Sequence, residues 1–179
     1  MIAVKVHKIS FHPPSRSYAV ILKEIDGERR LPVIVGAFEA QSIALALEHM
    51  ETPRPLTHDL IGNIIKGIDS NLKTVKITRL KEGVFYACLE IGGKNIGERS
   101  IDSRPSDALA VALRLKSPIL VAENVMSEAA LMPDIGTEED EGLDSADWTP
   151  SLNSLEKKLQ EAIDGEEYER AAEIRDQIK

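Results

Sequence analysis

Two short polar segments hold most of the side chains in this chain that could do chemistry. RPLTHDL at residues 54–60 and DSRPSD at residues 102–107 both place Arg-Pro shortly before a carboxylate, where an apolar helical pattern begins. Proline is tolerated in a first helical turn, because its missing N–H would have no partner there. The free N–H groups and the dipole of such a turn favour anions. The spacing therefore predicts a site suited to phosphate, although it is equally typical of a well-capped helix.

Phosphodiester hydrolysis is the chemistry that these residue types suit. It needs a positioned water and stabilised charge on the phosphoryl and leaving oxygens, and divalent metals held by carboxylates commonly supply both. The candidate metal ligands are Glu39, Asp59, Asp102 and Asp107. The candidate catalytic residues are His58, Asp59, Asp107 and Glu39, with His58 as a general base or a further ligand. The expected ion is Mg²⁺ or Mn²⁺.

Substrate binding is assigned to neighbouring groups in the same two segments. The candidates are Arg54, Thr57, Arg104 and Ser106. A guanidinium can hold a phosphate by two parallel hydrogen bonds, so the two arginines are expected to act as bidentate clamps. If the segments form one site, the side chains of His58, Asp59, Arg104 and Asp107 should converge on a common cleft.

The carboxylates also have structural explanations, which stay open. Glu39 and Asp107 fall at about the third position of a helix, where a carboxylate complements the helix dipole by about 0.3–1 kcal/mol. Asp59 would serve a first turn capped by Thr57. Asp102 could pair with the nearby arginine at a strand-to-helix turn. His58 and Asp59 are adjacent on a helix and should point in different directions.

The elements that position these residues follow from the hydrophobic periodicity. Strands are predicted at residues 2–6, 17–25, 30–35, 75–77, 84–91, 94–101 and 119–122. Helices are predicted at residues 36–50, 57–68, 105–116 and 123–131. Asp26-Gly27 is a strong hairpin signal. The fold class is therefore α+β, a mostly antiparallel sheet with packed helices. Three strands followed by an apolar helix occur twice, which suggests a duplicated β3-α unit.

The composition changes after residue 133. Residues 134–179 hold 15 acidic and 5 basic residues, a net charge of −10, which leaves 15 acidic and 17 basic residues in 1–133, a net charge of +2. Residues 134–150 include an acidic run and are predicted to be a solvated linker. Residues 151–179 carry two apolar helical stripes around Gly165 and are predicted to form a helical hairpin that pairs with a partner. The main domain, 1–133, lacks a strongly basic surface.

Other classes of protein are disfavoured. No apolar run approaches the length of a membrane span, so no membrane partner is expected. The single cysteine, Cys88, excludes an internal disulfide and a cysteine metal cluster. A soluble protein in the reducing cytoplasm is the expected setting.

Several blocks in residues 1–133 resemble the bifunctional nuclease family. In chain order they are LPVIVG at 31–36, EA at 39–40, RPLTHDL at 54–60, FYA at 85–87 and DSRPSDA at 102–108. The resemblance implies a compact α+β domain, often oligomeric, with DNase and RNase activity in some members. Homo-oligomers and a nucleic-acid substrate are therefore expected.

The C-terminal segment resembles the UVR motif of the UvrB and UvrC excision-repair proteins and of some protease adaptors. The resemblance is carried by LEKKL at 155–159, EYE at 167–169, AA at 171–172 and IRDQI at 174–178. It implies a protein–protein contact with another UVR-containing protein or with a second copy of itself.

Two functions from different classes follow. The first is a nuclease that hydrolyses DNA or RNA with divalent-metal assistance and carries an interaction hairpin. The second is a non-catalytic adaptor or regulator whose polar cluster binds an anionic ligand or stabilises an oligomer.

Overall fold

Seven strands and four helices form the described part of the chain, residues 1–12, 17–50 and 52–132 of a computed structural model. The strands are β1 (Ile2–His12), β2 (Ser17–Glu24), β3 (Arg30–Val35), β4 (Ser70–Lys81), β5 (Val84–Gly93), β6 (Gly97–Ser103) and β7 (Ile119–Val121). The helices are α1 (Ala37–Leu47), α2 (Thr57–Gly67), α3 (Pro105–Leu115) and α4 (Glu123–Ala129). The described residues belong to the first of two units of the chain, Met1–Asp140.

All seven strands lie in one sheet, in the order β3-β2-β1-β7-β4-β5-β6. Each pair of neighbours is antiparallel except β7 and β4, which are parallel. The Asp26-Gly27 signal lies in the predicted β2–β3 connection. Three strands precede α1, and three more precede α3, as the internal repeat predicts. The α+β prediction is confirmed.

Two long strands contain bulges that shift which positions are buried. In β4, Ser70 and Leu72 are buried, and the pattern then shifts to Val75 and Ile77. A bulge between Leu72 and Thr74 inserts one extra residue, so Leu72 and Val75 lie on the same face of the sheet although they are three positions apart. β1 has a similar irregularity between Val6 and Lys8. Each bulge keeps one face of its strand buried while the buried positions shift by one residue.

α3 is the central helix of the layer. Residues 108–112 are at most 1% exposed, because α1, α2 and the strands β4 and β5 all pack against this helix. The helix therefore has few polar residues, and its Ala-rich sequence allows close approach on every side.

The start of α2 differs from the prediction. Thr57 is its first helical residue, and Leu56 occupies the N-cap position. A leucine side chain cannot accept a hydrogen bond, so Asp59 Oδ2 instead accepts the backbone N–H of Leu56 at 2.9 Å. The predicted capping role of Thr57 is wrong.

Within the described residues, no helix is long and apolar enough to cross a lipid bilayer. The predicted acidic linker (134–150) and helical hairpin (151–179) lie outside the described residues.

Candidate functional site

Three helices present polar residues of their first turns to one cleft. Glu39 is the third residue of α1, His58 the second of α2, and Asp107 the third of α3. α1 and α2 both pack on α3, so residues from three distant parts of the sequence become neighbours. The arrangement places carboxylates at helix N-termini, where the dipole favours their charge.

Arg104, at the N-cap of α3, joins the two carboxylates. Its Nε donates to Asp107 Oδ2 at 2.7 Å and its Nη2 to Asp107 Oδ1 at 3.0 Å. Its Nη1 donates to Glu39 Oε1 at 3.0 Å. A guanidinium has five N–H donors, so two stay available on a side chain that is 65% exposed. Arg104 therefore makes the two parallel hydrogen bonds predicted for it, but it makes them to the Asp107 carboxylate.

His58 is held at both ring nitrogens. Its Nε2 lies 3.1 Å from Asp107 Oδ1, and its Nδ1 lies 2.7 Å from Ser42 Oγ. Ser42 is in the middle of α1 and is only 9% exposed. Sequence reasoning missed this serine. In the sequence, Ser42 is a single hydroxyl residue within a mostly apolar helical segment. A serine that faces solvent gives the same pattern, so the sequence does not identify it as a site residue.

The cleft in front of these groups has a volume of about 650 Å³. Its polar lining comprises Glu39, Gln41, Ser42, Thr57, His58, Arg104 and Asp107. Its apolar lining comprises Phe38, Leu45, Leu56 and Ile61. A concave, partly apolar surface with a few convergent polar groups is typical of a ligand site.

The electrostatics of the cleft favour an ionised Asp107. Burial by itself would raise the pKa of this carboxyl, but hydrogen bonds from Arg104 and His58 outweigh burial, and the pKa is lowered. The same contact with Asp107 raises the pKa of the Arg104 guanidinium. With neutral His58, the cluster of Glu39, Arg104 and Asp107 has a net charge of −1.

Asp59 lies in a different recess, although it is adjacent to His58 in sequence. Its Oδ1 accepts from Arg114 Nε at 2.6 Å, and both residues line a cavity of about 220 Å³ with Leu113 and Lys116. Arg114 Nη1 also donates to the backbone carbonyl of Ser42 at 2.9 Å. The single cleft expected for four residues therefore forms from His58, Arg104 and Asp107, without Asp59. Consecutive helical positions point about 100° apart, which is the reason.

The remaining candidates are spread around the cleft. Thr57 lines it, while Ser106 lines an adjoining recess of about 350 Å³ with Glu39 and Arg104. Arg54 is exposed in the segment before α2. Asp102 lies on β6 opposite Cys88, and its side chain makes no hydrogen bond or ion pair with the residues that the structure describes. The expected pairing of Asp102 with Arg104 is absent there, since Arg104 pairs with Asp107 and Glu39.

The four carboxylates do not form one metal site. Among residues 1–12, 17–50 and 52–132, no group of three or more His, Cys, Asp and Glu side chains could hold a metal ion. Asp59 faces Arg114, Asp102 is on the sheet, and Arg104 bridges the other two. This donor set does not fit a resident divalent ion, so no chemical step is assigned to one. Metal dependence stays a prediction.

The fold and the cleft define a class: α+β domains in which a histidine–carboxylate pair lies where helix N-termini meet on a seven-stranded sheet. Residues 20–134 match the model of the bifunctional nuclease domain. The chain belongs to that family. Residues 151–179 match the UvrB/uvrC motif, so both resemblances in the sequence are confirmed.

Relatives of this chain occur in bacteria and plants. An uncharacterised protein of Mycobacterium tuberculosis (strain ATCC 25618 / H37Rv) is 44% identical over 137 residues, which cover 76% of this chain and 81% of that protein. Bifunctional nuclease 2 of Arabidopsis thaliana is 27% identical, covering 89% of this chain and 54% of its own length. Bifunctional nuclease 1 of Oryza sativa subsp. japonica is 26% identical, covering 90% and 54%. The match thus spans about half the length of the plant relatives.

Proposed function

We propose that the domain hydrolyses phosphodiester bonds of DNA or RNA in the cleft lined by Glu39, His58, Arg104 and Asp107. The observation that carries the proposal is the hydrogen bonding of His58 at both ring nitrogens, to Asp107 Oδ1 and Ser42 Oγ. An imidazole oriented in this way beside an open cleft suits proton transfer in hydrolysis. The family, and the names of the plant relatives, support the same substrate class.

Arg104 is the group proposed to meet the phosphate. Three of its N–H donors pair with Glu39 and Asp107, and the remaining two can donate to phosphoryl oxygens. Its charge thereby offsets the repulsion between the two carboxylates and an anionic substrate. Arg54, exposed ahead of α2, is a second cation for the same role. Arginine suits this work because its planar fork matches the geometry of phosphate oxygens.

A divalent ion would enter this site only at the expense of an existing contact. Glu39 and Asp107 are the carboxylates closest to the cleft, and both are paired with Arg104. We propose that any Mg²⁺ or Mn²⁺ required for cleavage arrives with the substrate, whose phosphate oxygens supply the missing ligands. Such an ion would stabilise charge on the phosphoryl group.

The adaptor function has its own support. In the described cluster every carboxylate pairs with a cation, as in a purely structural ion-pair network that ties α1 to α3. Such a network needs no substrate. A cleft that bound an anionic ligand without cleaving it would use the same two free N–H groups of Arg104.

We also propose that the chain self-associates. Leu60, Ile64 and Ile68 recur every fourth residue along α2, and each is about half exposed. They form one stripe on the helix surface, and a second copy of the chain could cover this stripe with its own. The UVR segment is proposed as a separate contact, made with another UVR motif.

The test is a cleavage assay on the full chain with single-stranded DNA and RNA, with Mg²⁺, with Mn²⁺ and with EDTA. His58→Ala and the Glu39→Ala/Asp107→Ala double variant should lose cleavage. His7→Ala, an exposed histidine on β1, is the matched control and should keep it. Absence of cleavage by the wild-type chain under every condition would favour the adaptor.

A further inference from the structure

Ser42 contributes a hydroxyl to the wall of the cleft. Ser42 Oγ lies 2.7 Å from His58 Nδ1, and the serine is more than nine-tenths buried yet lines the cleft. Its position is fixed from behind, because its backbone carbonyl accepts a hydrogen bond from Arg114 Nη1 at 2.9 Å. Arg114 also holds the first turn of α2 through Asp59. The serine and the histidine are therefore placed by a shared support.

The hydrogen-bond chemistry assigns the protons. An ionised carboxylate only accepts, so the 3.1 Å contact of His58 Nε2 with Asp107 Oδ1 requires a proton on Nε2. In neutral imidazole the other nitrogen, Nδ1, then has a free lone pair. The only described side chain in hydrogen-bond contact with Nδ1 is Ser42, and its hydroxyl must donate to that lone pair. The order is Ser42 O–H to Nδ1, and Nε2–H to Asp107.

This order leaves no ring nitrogen free for a water molecule in the cleft. The group that His58 can deprotonate directly is the Ser42 hydroxyl. A nucleophile within hydrogen-bond reach of a base, with the base oriented by a third group, is the arrangement of enzymes that use covalent catalysis. In serine proteases the serine contacts Nε2 and the aspartate Nδ1. Here the two nitrogens exchange roles, which leaves the proton chemistry unchanged.

We propose that Ser42 is the nucleophile of this site, activated by His58 and oriented through Asp107. The inference rests on the proposed hydrolysis of phosphodiesters and names its covalent step. Arg104 lines the same cleft with two unused N–H donors, which can stabilise the charge that develops on the phosphoryl oxygens.

The first step forms the bond between Ser42 Oγ and phosphorus and breaks the bond between phosphorus and one sugar oxygen. The serine proton moves to His58 Nδ1, and the leaving oxygen keeps the bonding electron pair and takes that proton from Nδ1. In the second step water attacks phosphorus, gives a proton to Nδ1, and the bond to Oγ breaks with return of the proton to the serine. The net change is one phosphodiester and one water converted to a phosphomonoester and an alcohol.

The experiment uses a fluorophosphonate probe, which phosphonylates activated serine hydroxyls and needs no nucleic acid. The full chain is incubated with the probe, and the modified peptide is identified by mass spectrometry. We expect one adduct on Ser42, formed at least about 100-fold more slowly in His58→Ala, in keeping with the usual contribution of a general base. Ser70→Ala, which removes a buried serine at the start of β4, is the control and should leave the adduct rate unchanged.

The outcomes separate the two proposals. No adduct on Ser42 in the wild-type chain, or an equal rate in His58→Ala, overturns the assignment without reference to whether any Ser42 variant folds. Cleavage of DNA or RNA by a folded Ser42→Ala at the wild-type rate also overturns it and leaves the nuclease proposal standing. An adduct on Ser42 in a chain that cleaves neither DNA nor RNA supports the activated serine and removes the nuclease.

Discussion

His58 Nε2 and Asp107 Oδ1 lie 3.1 Å apart, although 49 positions separate the two residues in the sequence. The contact joins the first turn of α2 to the first turn of α3. It therefore reports directly on the packing of these two helices, and it links the charge of a carboxylate to the orientation of an imidazole. Substitution of either residue should therefore affect cleavage much more than it affects the stability of the fold.

Asp107→Asn should leave the fold intact and remove cleavage. An amide oxygen still accepts a hydrogen bond at the helix N-terminus, and the lost ion pair is partly exposed, so the free energy of unfolding should fall by no more than about 1 kcal/mol. The amide cannot stabilise an imidazolium, so any divalent-dependent cleavage of DNA or RNA should disappear. Urea unfolding and the cleavage assay measure the two effects. Full cleavage by the variant would remove Asp107 from the site.

Arg104→Ala should create a place for a divalent ion. Its removal leaves Glu39 and Asp107 uncompensated, and two like charges near each other favour binding of a cation. We expect Mg²⁺ to raise the thermal midpoint of this variant more than that of the wild type, because ligand binding to the native state stabilises it. Arg79→Ala is the control, since Arg79 lies over the ring of Tyr86, outside the cleft. Equal Mg²⁺ responses in the three proteins would show that the two carboxylates hold no ion.

Asp59→Asn should weaken the fold in a pH-dependent way. Burial by itself would raise the pKa of Asp59, but the Leu56 N–H and Arg114 outweigh it, and the pKa is lowered. A lowered pKa in the folded state contributes stability above the ordinary value of about 3.9 and loses it as pH falls through the folded value. The variant should thus be less stable than the wild type by about 1–2 kcal/mol at pH 7, with the difference shrinking below about pH 4.

Unfolding free energies between pH 2 and pH 7 provide the measurement for Asp59. Asp26→Asn, at an exposed turn position between β2 and β3, is the matched control and should follow the wild-type curve. A difference between Asp59→Asn and the wild type that does not change with pH would mean that the ion pair with Arg114 contributes no stability through its charge.

Ile64→Glu should reduce self-association. A charge in the middle of the apolar α2 stripe cannot be buried against a second copy without a large desolvation cost. The molar mass from light scattering should fall in this variant and stay at the wild-type value in Asn63→Glu, which places the same charge on an exposed neighbouring position. A monomeric wild-type chain would contradict the proposed contact.

Cutting the chain near Asp140 should leave residues 1–133 folded. The described sheet and helices hold their own apolar core, and the acidic segment after residue 133 has little apolar surface to bury. We expect the thermal midpoint to stay almost unchanged. A large decrease would mean that the UVR segment stabilises the main domain.

Much of the fold could be predicted from local patterns. Both apolar helices, α1 and α3, were predicted from their sequences, and β2 and β3 are joined across the hairpin signal at Asp26-Gly27. The bulge near Thr74 breaks the alternation between Leu72 and Val75, so the sequence predicted only residues 75–77 of a strand that spans Ser70–Lys81. The position of β7 in the sheet could not be predicted, because a strand of three residues is too short to show a hydrophobic periodicity.

The site was predictable only in part, for a related reason. Arg104 and Asp107 are three residues apart on one element, so their contact could be inferred from the sequence. The contact of His58 with Ser42 depends on the packing of both α1 and α2 against α3. The divergence of Asp59 from His58 follows from their adjacency on a helix, but the pairing of Asp59 with Arg114, 55 positions away, could not be predicted. Contacts between residues that are far apart in the sequence cannot be predicted from a local motif.

β7 has a consequence for synthesis of the chain. Ile119 pairs with Val4 on one side and with Val75 on the other, so this strand joins two groups of three strands within the sheet, β1–β3 and β4–β6, each of which can form from nearby sequence. Residue 119 leaves the ribosome more than a hundred residues after β1, a delay on the order of ten seconds at about 5–20 residues per second. The edge of β1 lacks its β7 neighbour throughout that time, and the edge of β4 lacks it from the point at which β4 has been made. Unpaired edges promote aggregation. The nascent chain is therefore prone to aggregation for a time that is set by the speed of translation and not by the stability of the folded domain.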